Sequence, residues 1–92
     1  MLFIIYCQDK PGHVDLRLAT RDAHLAYVDA AGIDIRIAGP MLDDTETMVG
    51  SMFVVDADDR AAVEAFSDAD PYNEAGLFER VDIHSFRQVF PR

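Results

Sequence analysis

Cysteine occurs only once in the 92 residues, so no disulfide within the chain can brace the fold. Cys7 lies in an apolar stretch and reads as packing. Positive charge is scarce as well: eight Lys and Arg stand against seventeen Asp and Glu, a formal net charge of −9 with a pI near 4.4. A surface of that sign repels phosphate backbones and anionic lipid, so neither nucleic acid nor a membrane is an expected partner. There is no run of about 18 apolar residues and no basic-then-apolar leader, which makes a soluble cytoplasmic protein the expectation. The three histidines, His13, His24 and His84, lack the spacing of metal ligands. No metal and no other cofactor is therefore expected. Linkers, low-complexity tracts and repeats are missing too, and one domain over residues 1–92 is expected.

What is present suffices for a packed fold, since half of the residues are hydrophobic, six Phe and three Tyr among them. A chain this short buries only about 60–65% of its unfolded surface, so oligomerisation would usefully enlarge the core. Leu2 to Cys7 is apolar on both alternating sides, as in a strand covered on two faces, and the turn residues Gln8 to Gly12 end it. A helix over Asp15 to Val28 follows, with Gly32 as its expected C-cap. Ile33, Ile35 and Ile37 then alternate with polar or small residues, the period of a strand, which Gly39-Pro40 breaks. Asp43 to Thr47 is a polar connector and Gly50 to Val55 a third strand, so residues 33–55 read as a hairpin with an acidic tip. Asp56 to Asp59 supplies N-cap candidates for a second helix striped by Ala62, Val63 and Phe66. Pro71 sets the preceding Asp70 in an extended conformation past that helix. After a brief turn over Tyr72 to Gly76, Leu77 to Phe86 is the last strand, with Phe78, Arg80, Asp82, His84 and Phe86 on one side.

The order β-α-β-β-α-β is the split pattern of a ferredoxin-like α+β sandwich. Two helices cover one face of such a sheet. The other face, expected to carry Tyr6, Phe53 or their neighbours, invites a second copy, and a homodimer with facing sheets is the expectation.

Wound at about 100° per residue, the first helix turns Asp15, Asp22 and Asp29 outward and sets Arg17, Arg21, His24 and Val28 on its inward face. Desolvated charge without partners costs several kcal/mol, so the arrangement needs a reason. Two are open: the cations pair with acids for structural ends, or a pocket wants positive charge and a titratable ring. In the second case neighbouring cations would keep His24 a neutral base and attract an anionic ligand. Asp70, near the end of the second helix, could approach the middle of the first and hold His24 by one ring nitrogen, leaving the other to take a proton. Gly39-Pro40 and Ser51 are further candidates for ligand approach and orientation, and Tyr6 and Tyr72 for lining an apolar cleft.

Arg17-Leu-x-x-x-Arg21-x-x-His24-Leu, Ala38-Gly-Pro-Met41, Gly50-Ser51, Ala69-Asp-Pro-Tyr72 and the ending Phe86-Arg-Gln-Val-Phe90 together resemble the YciI-like (YCII) family of small bacterial proteins. The resemblance covers essentially the whole chain. It implies a ferredoxin-like fold, a dimer of the α/β-barrel type and a cleft with a His–Asp pair, which fall here on His24 and Asp70. Arg17, Arg21, Ser51 and Tyr72 lie in matching motifs without an assigned step. The family resembles muconolactone isomerase in architecture, and one branch is associated with dehydrochlorination of aromatic compounds. The connector at residues 42–49 is shorter here than in many relatives. Residues and resemblance together lead to a cofactor-independent isomerase or lyase that moves a proton on a small anionic cyclic or carbonyl substrate. The alternative is a dimeric module that binds a small metabolite without turning it over. A cofactorless monooxygenase on the same scaffold has no specific residue in its support.

Overall fold

Alternation along the first strand decides which side of the sheet becomes the core. Phe3, Ile5 and Cys7 are buried and Asp9 continues their side, while Ile4, Tyr6 and Gln8 point the other way. The computed structural model describes residues Met1–Arg92, and in it this segment is β1 (Leu2–Asp9). It is a central strand of a four-stranded sheet ordered β2-β3-β1-β4. β1 pairs antiparallel with β3 (Met48–Asp56) on one side and β4 (Phe78–Phe86) on the other, and β2 (Asp34–Leu42) forms the outer edge beyond β3. Helices α1 (Val14–Asp29) and α2 (Arg60–Asp68) cover a single face, and a one-turn helix, α3 (Pro71–Glu74), precedes β4. This is the expected ferredoxin-like α+β architecture.

The core is one cluster of Phe3, Ile5, Cys7, Phe53, Val55, Val63 and Phe66. Side chains of this kind contribute about 1.5–3 kcal/mol each when fully buried. Asp59 starts α2 by accepting the Ala62 backbone N–H at 2.9 Å, as its position before the apolar stripe predicts. The hairpin tip is held by Asp43, whose Oδ1 accepts from the Thr45 hydroxyl at 2.8 Å and from the N–H groups of Thr45 and Thr47 at 2.8 and 3.0 Å. Those bonds, the one from the Thr45 hydroxyl foremost, hold the Asp43 carboxyl below its ordinary pKa.

Several local expectations are corrected. Phe53 does not lie on the open face; it is 2% exposed in the helix-side core, opposite Ile5 in the β1–β3 register. The open face carries Tyr6, as expected, with Ile4, Met52 and Val54. Gly39-Pro40 does not end β2, which runs on to Leu42. A strand at the sheet edge tolerates a proline because one row of its N–H groups has no ladder partner to lose. The helix α1 ends at Asp29 with Ala30 as C-cap, so Gly32 lies beyond the cap. Tyr72 to Glu74 is helical, begun by Pro71 at its first position. Phe78 packs with the core and not beside Arg80, because a register shift between Gln8 and Asp9 brings it opposite Asp9.

Gly50 is where β1 and β2 crowd β3 most. A Cβ there would sit 2.3 Å from the Cys7 carbonyl oxygen and 2.6 Å from the Met41 methyl. Met41 can move, but the strand cannot without breaking its ladder. Gly50→Ala is therefore expected to destabilise by about 1–3 kcal/mol, the range for overpacked sites. A domain of this size then melts roughly 4–8 °C lower per kcal/mol, which calorimetry would read directly.

Candidate active site

The inward face of α1 buries two residues, Arg17 and His24, at 2% and 9% exposure. Neither is apolar, so polar partners tie α1 to the protein beside the packing of Tyr27 and Val28 against the core. Tyr27 adds another tie, its hydroxyl donating to the Phe66 carbonyl at 2.8 Å.

His24 meets Asp70. Asp70 has φ −58° and ψ 127°, the extended setting its proline neighbour imposes, and is 2% exposed. Its Oδ1 accepts the Tyr72 backbone N–H at 2.9 Å, which caps α3, and lies 2.8 Å from His24 Nδ1. Against an ionised carboxylate, which can only accept, a neutral ring holds its proton on Nδ1 and keeps the Nε2 lone pair free. Nε2 makes no hydrogen bond within the chain, and no sealed-off side-chain nitrogen or oxygen lacks a partner, so it reaches accessible space. The Tyr72 ring stacks on the imidazole with centroids 4.0 Å apart and planes 15° apart, and Phe53 meets it edge-on at 6.1 Å.

Arg17 is spoken for. Asp9 accepts from its Nε at 2.7 Å and its Nη2 at 2.8 Å, Nη2 also donates to Ser51 Oγ at 2.9 Å, and Cζ lies 4.6 Å from the centre of the Tyr72 ring. Burial works against the guanidinium charge, but the Asp9 carboxylate outweighs it and holds Arg17 above its ordinary pKa. Burial likewise raises the Tyr72 phenol, Arg17 drawing it back down. The Cys7 thiol, buried beneath the site, is pushed up to about 12, by desolvation first and by Asp70 second. A thiol so held is inert packing.

These groups border a cavity of about 180 Å³. Arg17, Arg21, His24, Leu25 and Val28 of α1 form one wall, Ala38, Gly39 and Pro40 of β2 the opposite wall, and Met48, Ser51, Phe53 and Tyr72 close it. Six of the twelve lining residues are hydrophobic. Arg21 is exposed and has no ion-pair partner, so it is the free cation at the rim. Of the residues singled out in the sequence, Arg17, Arg21, His24, Ser51 and Tyr72 border the cavity and Asp70 stands behind His24. Tyr6 does not. It is 38% exposed on the other face of the sheet, in a more open hollow of about 600 Å³ with Gln8, Lys10 and His13. Asp9 is the member that sequence reasoning missed, because it falls in the turn-like run Gln8 to Gly12. Continuing the Phe3, Ile5, Cys7 alternation by one step would have found it.

A single-sided ferredoxin-like sheet with a His–carboxylate contact over a small, half-apolar cavity defines a class of small α+β proteins with a candidate small-molecule site. Comparison with known proteins narrows the class. The YCII-related domain matches residues 1–87. The YciI proteins of Escherichia coli O6:H1 and Shigella flexneri are each 37% identical over 98 residues, spanning 98% of this chain and 100% of theirs. The chain belongs to the YCII family. Among solved structures, it is similar to the 5-chloro-2-hydroxyhydroquinone dehydrochlorinase TftG of Burkholderia phenoliruptrix AC1100, in complex with 2,5-dihydroxybenzoquinone. The TM-score is 0.86 with 34% identity over 95% of this chain and 94% of that one. An antibiotic biosynthesis monooxygenase shares the fold alone, at TM-score 0.58 and 14% identity over 96% of this chain and all of that one. No helix here is long and apolar enough to cross a membrane.

Proposed function

We propose that this chain is a cofactor-independent enzyme of the isomerase or lyase type, moving a proton on a small cyclic or carbonyl compound that carries negative charge. The observation that carries the reading is the 2.8 Å contact between His24 Nδ1 and Asp70, which commits one ring nitrogen and leaves the other for the cavity. In this scheme Nε2 removes a proton from a hydroxyl or carbon conjugated to a carbonyl, and the electron pair moves onto the carbonyl oxygen. Asp70 holds the ring and offsets the charge it gains. The oxyanion is met by the Arg17 guanidinium, which borders the cavity, or by Arg21 at the rim. Return of the proton elsewhere gives isomerisation; expulsion of a leaving group gives elimination. Ser51 and Tyr72 orient the substrate, and the apolar wall suits a planar ring. The quinone bound to TftG supports that choice of ligand. We further propose that the chain acts as one cytoplasmic domain paired as a homodimer through the sheet face of Ile4, Tyr6, Met52 and Val54, a row of apolar neighbours that the helices leave uncovered.

The test is a thermal-shift screen of hydroxylated quinones and chlorinated hydroquinones, including 2,5-dihydroxybenzoquinone, followed by chromatographic product analysis. A ligand present at about 100 times its Kd adds about 2.7 kcal/mol. Stabilisation with conversion supports the enzyme. Stabilisation with unchanged ligand favours a metabolite-binding module, and indifference to every ring removes the proposal.

A further inference from the structure

We propose that Asp9 is a positioning residue of this site, acting through Arg17, a role that rests on the proton-transfer reading above. Asp9 is the last residue of β1, where the alternation of Phe3, Ile5 and Cys7 carries its side chain to the helix side of the sheet, within reach of Arg17 on α1. Its carboxylate side chain is 5% exposed. It takes Nε and Nη2 of Arg17 in a fork at 2.7 and 2.8 Å, and Ser51 takes Nη2 as well at 2.9 Å. A planar guanidinium fixed at two adjacent nitrogens has its third direction fixed too. The guanidinium so held lies against the Tyr72 ring and borders the cavity.

The hold extends to the imidazole. Arg17 and His24 lie seven residues apart on α1, a rise of about 10.5 Å, and the Tyr72 ring sits between them. Arg17 Cζ is 4.6 Å from the ring centre and the His24 ring 4.0 Å from it. A guanidinium that shifts therefore frees the ring against which His24 rests. Asp9 also cancels the charge of Arg17, so the one cation offered to an incoming anion without a competing carboxylate is Arg21. Without the Asp9 charge, Arg17 is a desolvated cation with only a hydroxyl and a ring face, and it turns toward any other acceptor in reach.

The experiment uses the full chain with Asp9→Asn, which keeps shape and one acceptor but loses charge, and Asp9→Glu, which keeps charge but moves it by a methylene. Two readouts are taken beside the circular dichroism spectrum and melting temperature. One is the solvent exchange of the Arg17 Nε–H in 15N NMR; the other is the Kd of 2,5-dihydroxybenzoquinone by absorbance titration. Asp9→Asn is expected to keep its fold, to speed that exchange by about tenfold or more and to weaken the probe by about tenfold. Asp9→Glu is expected to move both in the same direction by less. A lower melting temperature with exchange and Kd both unchanged overturns the proposal and leaves Asp9 as scaffold. If the Asn variant does not fold, the Glu variant decides, and wild-type values there overturn it. If the wild-type chain does not bind the probe, the proposed ligand class fails, while Asp9 still stands or falls on the Arg17 exchange rate.

Discussion

Replacing His24 with alanine is expected to lower turnover by about 10²–10⁴-fold, the usual worth of a positioned general base. The fold should survive. His24 sits outside the cluster of Phe3, Ile5, Cys7, Phe53, Val55, Val63 and Phe66 that forms the core. Asp70 keeps its bond from the Tyr72 N–H and so still starts α3. The far-ultraviolet dichroism of the variant should match that of the parent, which separates lost chemistry from lost structure. Comparison of turnover on whichever ring the ligand screen yields then decides. A variant that folds and turns over at the parental rate would leave His24 no part in the reaction.

Removing Arg17 should act in the opposite way, on stability before chemistry. Arg17→Met leaves Asp9 as an unpaired carboxylate under α1, and breaking a buried pair from one side costs about 3–5 kcal/mol. At 4–8 °C per kcal/mol, melting should fall by at least about 12 °C. Replacing both partners, Asp9→Leu with Arg17→Met, removes the uncompensated charge and should restore most of the loss, because apolar substitutes for a whole buried pair are often neutral or better. Calorimetry of the single and double variants tests this. A single variant that melts within a few degrees of the parent would mean that the carboxylate reaches water and the pair is not sealed. The recovered double variant should still bind acidic rings poorly, since the guanidinium at the cavity wall is gone.

The element order was legible because alternation, turn residues and the Asp70-Pro71 pair are local signals, and local signals do not need the partner strand. The approach of His24 and Asp70 followed from placing two helices side by side on one sheet. Sidedness was harder. Leu2 to Cys7 is apolar on both faces, so nothing in those residues says whether Tyr6 or Cys7 faces the helices; that is set by what each finds across the ladder. The same ambiguity covers Phe53, and Phe78 changes sides because one register shift reverses everything beyond it. Pro40 reads locally as a strand end because its tolerance depends on β2 being an edge, a fact about neighbours. Asp9 was hidden by composition: next to Lys10-Pro11-Gly12 it looks like a turn, and only its contact with Arg17 gives it another meaning.

The first helix is fastened by the same polar contacts that furnish the cavity. Arg17 reaches Asp9 and Ser51, and His24 reaches Asp70, while Leu18 and Leu25 beside them remain exposed. Selection on the scaffold and selection on chemistry thus act on the same atoms. A descendant that abandoned its reaction would still lose stability on losing Arg17 or Asp9 alone, so the survival of that pair in a lineage is no proof that the reaction survives with it.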